Sequence, residues 1–415
     1  MKLGRAHVIL CVLTAFAVAA PIGAMAGPVN GTSGKQWTLM MYWDADNSLE
    51  FCTEFAMSTW EGALTDDSQV NIVALIDILS EDGTWIYDIV DGQRHLVDTW
   101  EELNTSDPAS LERFVFYCMD EFPAENTMLV LQDHGYGWRG LCEDETNGDS
   151  LMSLDGLASV LEKVKVEREA VDLLAFDACN MMTIEALYEL KDAVSYVVGS
   201  ESMVPYDGLP YQMLITDLMD DPGISPEELA MNIVHEYVLY YSSKKDYEHI
   251  KPYNQDFATC SAFDMSKVDA LGKAFITFTE ALEPLTVHYM RQIEGARGYA
   301  LIGPWANIGS IEWGIDLYEY GEGLLASITD QPALTSAIMD MMSAYDAALL
   351  AEDHSRKYHD TAHGLTVNFP PSLSNYNSVG WVWGRQFVYH ACGLDIVAES
   401  HWYDCLMAYY ANSAS

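Results

Sequence analysis

Two segments, Met128-Leu-Val-Leu-Gln-Asp133 and Val171-Asp-Leu-Leu-Ala-Phe176, decide the fold class that this sequence predicts. Each is short and almost continuously apolar, which is typical of a strand buried on both faces of a parallel sheet. Three other segments have the same character and are also predicted to be strands: Trp37–Trp43, Val70–Ile76 and Tyr196–Gly199.

Helical patterns separate these strands. Asn47 can cap a helix over Leu49–Met57, and Leu154–Val164 repeats its apolar residues at helical spacing. Trp85–Val90 has the pattern of an edge ribbon. The alternation of strands and helices predicts an α/β fold, with a mostly parallel sheet and helices on both of its faces.

Helical patterns dominate the chain beyond residue 220. Ser225, followed by Pro and two Glu, predicts a helix that continues to about Tyr241. Two more helices are predicted over Ala270–Leu285 and Leu334–Leu350, and a late strand over Gly364–Phe369. We therefore expect an α/β core over residues 33–220 and a helical elaboration over 221–415, whose strand near 364–369 returns to the core.

The first 26 residues have the pattern of an export signal. Lys2 and Arg5 precede the apolar run Val8–Ala20, and Ala24-Met25-Ala26 fits a cleavage motif. A membrane anchor is the alternative, but the run is short for a spanning helix. We expect a secreted, periplasmic or cell-surface protein that has no membrane attachment once residues 1–26 are removed.

The chain is strongly acidic, with 63 Asp plus Glu against 20 Lys plus Arg and a formal net charge of −43. Such a surface repels nucleic acids and anionic membranes, so neither is an expected partner. It attracts basic polypeptides. The charge can instead serve solubility alone, which is the interpretation that net charge favours first.

The cysteine count leaves at least one thiol unpaired. Of eight Cys, Cys11 lies in the predicted signal, and an odd number remains in the exported chain. The others can form up to three disulfides, whose pairing the sequence does not reveal. The leftover thiol is either a nucleophile or a buried apolar side chain.

His134 and Cys179 follow the ends of the two deciding strands. Ligands of parallel sheets bind beyond the carboxyl ends of the strands, so both side chains are candidates for chemistry. A helical pattern from Thr183 places Cys179 near a helix N-terminus, which favours a thiolate, and an imidazole can transfer its proton. Gly135 lets its backbone N–H approach a substrate, so Gly135 and Cys179 can form an oxyanion hole.

These motifs and their order resemble the clostripain family of cysteine peptidases, within the clan of caspases, legumain, gingipains and separase. The resemblance covers residues from about 40 to 220 and one segment near 365. The matching segments are Tyr42–Glu50, His134–Trp138, Asp144–Thr146, Leu151–Asp155, Phe176–Met181, Ser200–Ser202, Pro205–Tyr211 and Gly364–Pro370.

The resemblance implies a caspase-like three-layer sandwich with a C-terminal helical elaboration. It implies a secreted cysteine endopeptidase in which His134 and Cys179 form the catalytic dyad, Gly135 and Cys179 supply oxyanion-hole amides, and an acyl-enzyme forms. It assigns Asp177 to binding Arg or Lys before the scissile bond of polypeptide substrates. The alternative role for Asp177 is to cap the following turn.

Two family properties have weaker counterparts in this sequence. Family members often cleave themselves after Lys or Arg between the two motifs, but the acidic loop from Cys142 to Ser150 has no basic residue. Clostripain uses calcium, yet the oxygen donors of this loop do not fit an EF-hand. We expect a solvated loop and no cofactor, with calcium kept as a possibility. The donors are Glu143, Asp144, Glu145, Asn147 and Asp149.

Two other functions compete with the peptidase hypothesis. One is a catalytically silent binding or surface protein on a caspase-like scaffold, because folds host unrelated functions. The other is a metal-dependent hydrolase that uses His354, His359 and His363. Gly364 and the strand that follows argue against a helix there, so we expect no metal site. His363-Gly364 also repeats the His-Gly dipeptide, but it precedes its strand.

Overall fold

A nine-stranded mixed sheet forms the centre of the molecule in this computed structural model. Its order is β12-β10-β9-β8-β5-β1-β2-β3-β4, and the four other strands form two small pairs, β6 with β7 and β11 with β13. The strands are β1 (Trp37–Ala45), β2 (Val70–Ile78), β3 (Thr84–Val90), β4 (Gln93–Trp100), β5 (Asn126–Gln132), β6 (Leu141–Asp144), β7 (Ser150–Met152), β8 (Val171–Asp177), β9 (Val194–Gly199), β10 (Thr259–Asp264), β11 (Gly314–Asp316), β12 (Leu349–His354) and β13 (Thr366–Asn368).

The centre of the sheet is parallel and its edges are antiparallel. Strands β9, β8, β5, β1 and β2 run parallel to one another. These are the five strands that apolar runs predicted. The hairpin β3–β4 extends one edge, and β10 and β12 extend the other. The predicted α/β fold is confirmed, while the mostly parallel character applies to the centre of the sheet alone.

Helices cover both faces of the sheet and complete the three layers. Successive residues of β1 show why, since Leu39 and Met41 pack into one buried cluster and Met40 and Tyr42 into the other. The helices are α1 (Thr53–Ala63), α2 (Pro108–Glu121), α3 (Leu154–Glu167), α4 (Ile184–Glu189), α5 (Tyr211–Asp220), α6 (Pro226–Ser243), α7 (Val268–Leu282), α8 (Met290–Tyr299), α9 (Leu317–Ser327), α10 (Pro332–Ala348), α11 (Leu373–Ser378), α12 (Asp395–Glu399) and α13 (Trp402–Ser413).

The C-terminal half contributes strands that the helical prediction for residues 221–415 missed. β10 and β12 join the main sheet, so this half extends the sheet as well as adding helices. The predicted helix over Leu334–Leu350 ends at Ala348, where β12 begins. The late strand is confirmed at Thr366–Asn368, where it pairs with β11, and Thr366 also bridges to Thr183 beyond β8.

The structure describes residues 34–65, 69–243, 258–301, 313–355, 361–378 and 388–413. Residues 33–415 form one compact unit. The export signal predicted for residues 1–26 lies outside the described residues. Within the described ranges, every helix is too short or too polar to cross a bilayer.

Candidate active site

The two motifs predicted to carry chemistry lie side by side at one edge of the sheet. β5 and β8 are parallel neighbours, and Gln132 is in register with Asp177. The Asp133 amide donates a hydrogen bond to the Asp177 carbonyl oxygen over 3.4 Å. His134 and Cys179 therefore leave the sheet together, as expected when both strands end at the same carboxyl edge.

A cavity of about 130 Å³ joins the predicted site residues. His134, Asp177 and Cys179 line this cavity. Residues 203–206 and Gly208, in the loop after β9, also line it. His363, the other His followed by Gly, does not line it. The arrangement brings a thiol, an imidazole and a carboxyl group to one small space.

His134 is held by residues that sequence analysis did not assign to the site. Its Nε2 shares a hydrogen bond of 3.0 Å with the Ser48 hydroxyl, and burial lowers the pKa of the imidazole. Asn47 Nδ2 donates to Asp133 Oδ1 over 2.7 Å, next to His134, and to the Glu143 carbonyl over 2.9 Å. The loop after β1 therefore fixes the segment that carries His134.

The predicted cap at Asn47 is only partly correct. Asn47 Oδ1 accepts the Leu49 amide over 2.8 Å, as a cap would. The helix proper starts later, however, because a 3-10 turn over Glu50–Cys52 precedes α1. The Asn47 amide has buried partners in Asp133, just after β5, and in Glu143 of β6. This residue therefore connects three segments in addition to its role as a cap.

Cys179 is half-buried, and its sulfur accepts the Val204 amide over 3.3 Å. The helix predicted from Thr183 is confirmed, since Thr183 is the N-cap of α4. Asn180 adopts a left-handed φ of 59°, which turns the chain, and α4 begins only at Ile184. Gly135 packs directly on the Cys179 backbone, since a Cβ at that position would lie 2.2 Å from the Cys179 carbonyl oxygen.

Asp177 is 3% exposed and forms one wall of the cavity. The Tyr211 hydroxyl donates to its Oδ2 over 2.5 Å, while Oδ1 is buried without a hydrogen-bond partner among the described residues. Burial raises the pKa of Asp177 to about 6, against hydrogen bonds from Tyr211 and Leu209 that lower it. Among the described residues, the donors to this carboxyl group are Tyr211 and Leu209, and neither belongs to the turn after Cys179 that Asp177 was considered to cap.

Gly208 lies against the Asp177 carboxyl group and has a φ of +68°. A Cβ at this position would fall 2.2 Å from Asp177 Oδ2. Only glycine meets both the conformation and the close approach. The loop that carries Gly208 therefore sets how much space remains above the carboxyl group.

All seven cysteines beyond residue 26 are free thiols, so none of the disulfides that the count permitted is formed. Burial raises the pKa of the other thiols, to about 12 for Cys52 and about 11 for Cys392. The same cause and direction hold for Cys118, Cys142, Cys260 and Cys405. These thiols stay protonated at neutral pH, which makes them poor competitors for a nucleophilic role.

The acidic loop predicted to be solvated is exposed only in part. Glu143 and Asp144 are buried. Asp144 accepts hydrogen bonds from the Thr105 and Asn147 amides over 2.9 and 2.8 Å. Residues 145–149 are exposed, as expected. The predicted exposure is wrong for Glu143 and Asp144, because both belong to strand β6, which is buried.

Two histidines of the cluster considered for zinc, His354 and His363, each bond to a carboxylate. His354 Nδ1 bonds to Glu352 over 2.6 Å, and His363 Nδ1 bonds to Asp316 over 3.2 Å. His359 lies outside the described residues. Each of the two described rings thus has its own carboxylate partner.

Comparisons with known proteins agree with the fold. The family model described as the clostripain family matches residues 41–361. Clostripain of Hathewaya histolytica is 27% identical over 237 residues, which are 48% of this chain and 45% of that protein. This chain thus spans about half the length of that curated relative.

Solved structures show the same fold. A secreted C11 cysteine protease from Bacteroides thetaiotaomicron, in complex with an irreversible peptide inhibitor, has a TM-score of 0.63 at 18% identity, with 89% of this chain and 99% of that one covered. An inactive zymogen C11 protease from Parabacteroides distasonis has a TM-score of 0.57 at 18% identity, with 81% and 89% covered. With the family model matching most of its length, this chain belongs to the clostripain family of cysteine peptidases.

Proposed function

We propose that this protein is a secreted cysteine endopeptidase that cleaves after Arg or Lys, with His134 and Cys179 as its catalytic dyad. The cavity that joins His134, Cys179 and Asp177 carries the proposal. A thiol and an imidazole at one edge of the sheet supply the nucleophile and the proton carrier. A buried carboxyl group beside them supplies selectivity for a basic side chain.

Peptide-bond cleavage would proceed in two steps. His134 takes the proton of the Cys179 thiol as the sulfur attacks the scissile carbonyl carbon, and backbone amides of Gly135 and Cys179 stabilise the oxyanion. His134 then gives this proton to the leaving amine as the C–N bond breaks. Water then attacks the thioester carbonyl carbon while His134 accepts a proton from the water. The C–S bond breaks, the carboxylic acid product leaves, and His134 returns the proton to the Cys179 sulfur. Because Ser48 engages Nε2 of His134, Nδ1 is the nitrogen that exchanges protons with the substrate.

Selectivity would come from the unpaired oxygen of Asp177. A guanidinium can bind a carboxylate through two hydrogen bonds, and an ammonium binds it as a point charge. Tyr211 already occupies Oδ2, so Oδ1 is available to the substrate. The net charge of −43 also favours the approach of basic polypeptides over nucleic acids.

Reporter peptides test the proposal directly. Purified protein lacking residues 1–26 is expected to hydrolyse reporters that end in Arg or Lys, and to ignore reporters that end in Asp. Iodoacetamide should abolish this activity and label Cys179 before any other thiol. No hydrolysis of any reporter, with a folded protein, would favour the silent binding protein.

Loss of the Ser48 hydroxyl should slow turnover without unfolding the protein. Ser48→Ala removes the hydrogen bond that orients His134, so kcat should fall by about tenfold, a part of what a general acid contributes. Ser48→Thr keeps a hydroxyl and should restore much of the rate. Steady-state kinetics and thermal unfolding measure the two effects.

Ser58→Ala is the matched control. Ser58 is an exposed serine on α1 that bonds only to Glu54, over 3.4 Å. It should leave kcat unchanged. Equal rates for Ser48→Ala and wild type would show that His134 does not depend on Ser48.

The preference for Arg should grow as pH rises through about 6. The raised pKa of Asp177 means that its carboxyl group is neutral below this pH and ionised above it. The ratio of kcat/KM for an Arg reporter to that for a citrulline reporter cancels titration of the dyad, because citrulline is a neutral isostere of Arg. This ratio should rise with pH in the wild type and stay flat in Asp177→Asn; a flat wild-type ratio would remove Asp177 from substrate binding.

A further inference from the structure

Exposed apolar side chains converge at the opening of the active-site cavity. Met203 and Tyr206, which both line the cavity, are 41% and 46% exposed. Phe51 is 62% exposed, and its ring packs edge-on against the Tyr206 ring with 5.1 Å between the ring centroids. We call these three residues the apolar rim. Single exposed apolar residues are ordinary, but three that converge on one cavity indicate a binding surface.

Two distant segments of the chain meet to form the apolar rim. Phe51 belongs to the 3-10 turn after β1, and Tyr206 belongs to the loop after β9. Leu49 and Cys52, on either side of Phe51, line the cavity, so the turn that carries Phe51 is part of its wall. The rim is therefore continuous with the site that holds the catalytic residues.

The acidic residues beside Phe51 are engaged elsewhere. The Ser80 hydroxyl donates to Glu50, and Arg94 pairs with Glu54 over 2.8 Å. The apolar rim is thus an uncharged surface in a protein whose net charge is −43. Such a surface favours an apolar ligand, since burial of apolar area is its main attraction.

The loop that carries Tyr206 is anchored on both sides of this residue. The Val204 amide donates to the Cys179 sulfur over 3.3 Å. The Gly208 amide donates to the Pro205 carbonyl oxygen over 2.9 Å, which closes a turn around Tyr206. The Tyr206 ring is therefore positioned before a ligand arrives, and binding costs little ordering of the loop.

We propose that the apolar rim binds a large apolar or aromatic side chain directly before the basic residue of the substrate. This inference rests on the proposed function and adds a second element of selectivity to it. The acyl half of the substrate becomes bonded to the Cys179 sulfur, and the loop that contacts this sulfur carries Tyr206. The leaving half lies at His134, which protonates its amine. The apolar rim therefore serves the acyl half.

One loop would then bind two consecutive substrate side chains. Gly208 packs on the Asp177 carboxyl group, where the basic side chain ends, and Tyr206 lies two residues earlier at the opening. The edge-on aromatic pair can accept a further ring in the same geometry, and the flexible Met203 side chain can adapt to aliphatic or aromatic groups. Phenylalanine and leucine are the side chains that this surface fits.

The inference is tested with acetyl-Phe-Arg and acetyl-Ala-Arg reporters that release the same coumarin. The value of kcat/KM for the Phe-Arg reporter should exceed that for the Ala-Arg reporter by about tenfold, because the rim buries part of the benzyl group. A ratio near one, with both reporters hydrolysed, would overturn the inference and leave the peptidase function intact.

Substitutions assign the preference to the rim. Phe51→Ala and Tyr206→Ala should each bring the Phe-Arg to Ala-Arg ratio close to one, whereas Tyr206→Phe keeps the ring and should keep the ratio. Tyr299→Ala is the matched control, because Tyr299 is an exposed aromatic residue on α8 that does not line the cavity. It should leave the ratio unchanged. An unchanged ratio in both rim alanine variants would also overturn the inference.

Peptide binding to the Cys179→Ala protein gives a readout that does not require turnover. Calorimetric titration with acetyl-Phe-Arg-Gly amide should give an affinity about tenfold higher than titration with acetyl-Ala-Arg-Gly amide. If the wild type hydrolysed no reporter, the proposed function would fail while this comparison still decided the inference. Equal affinities of the two peptides would contradict binding at the apolar rim.

Discussion

Cys179→Ala is expected to reduce hydrolysis of Arg and Lys reporters by at least about a thousandfold, because it removes the nucleophile and with it the acyl-enzyme pathway. The side chain is half-buried at the edge of the sheet, and the hydrogen bond from the Val204 amide to its sulfur, over 3.3 Å, is a weak one, so Tm should change little. Reporter kinetics and thermal unfolding of the same preparation measure both quantities.

Cys392→Ala is the matched control for this loss. Cys392 is also half-buried, but burial raises the pKa of its thiol to about 11, and it does not line the cavity. Its variant should keep wild-type activity. Retained turnover in Cys179→Ala would move the nucleophile elsewhere.

His363 provides the matched control for His134. His134→Ala should lose activity, whereas His363→Ala should keep it, because His363 bonds to Asp316 away from the cavity. The reverse result would show that the other His-Gly dipeptide carries the chemistry.

Asp177→Asn is expected to lower kcat/KM for Arg and Lys reporters by the cost of leaving a buried charge without its partner. That cost is typically about 2–5 kcal/mol, or roughly thirtyfold to several thousandfold. A citrulline reporter should lose far less, so the gap between basic and neutral substrates should narrow. The Tyr211 hydroxyl can still donate to the amide oxygen of Asn, so stability should be nearly unchanged.

Two further variants test whether the effect depends on the charge of Asp177 and on its place in the cavity. Asp172→Asn changes a half-buried carboxyl group on the same strand, which accepts the Thr127 amide over 2.8 Å, and should not affect selectivity. Gly208→Ala keeps the Asp177 charge but forces a Cβ against its carboxyl group, so basic reporters should suffer most. A wild-type enzyme that cleaves after Asp or large apolar residues would contradict the role of Asp177 and leave the peptidase assignment intact.

The central fold was predictable because each central strand is buried on both faces. Such a strand needs a nearly continuous apolar sequence, and Val171–Asp177 and Asn126–Gln132 have one. The edge strand β12 was not predictable. Its sequence, Leu-Leu-Ala-Glu-Asp-His, is half polar because all six residues are only partly buried, and it continues a helical pattern without a break.

The site residues that follow strand ends were predictable from the sequence. Those that reach the site because two strands are neighbours in the sheet were not. A motif after each of two strands gave His134 and Cys179, since both strands end at the same edge. Ser48 reaches His134 because β1 lies beside β5, which the sequence does not reveal.

Covalent labelling tests the central claim most directly. Native protein is treated with a peptidyl-arginyl chloromethyl ketone and the adduct is mapped by mass spectrometry. A single adduct on Cys179 is expected, lost in His134→Ala and strongly reduced in Asp177→Asn. An adduct on another thiol, or labelling of Cys179 that is indifferent to both substitutions, would contradict it.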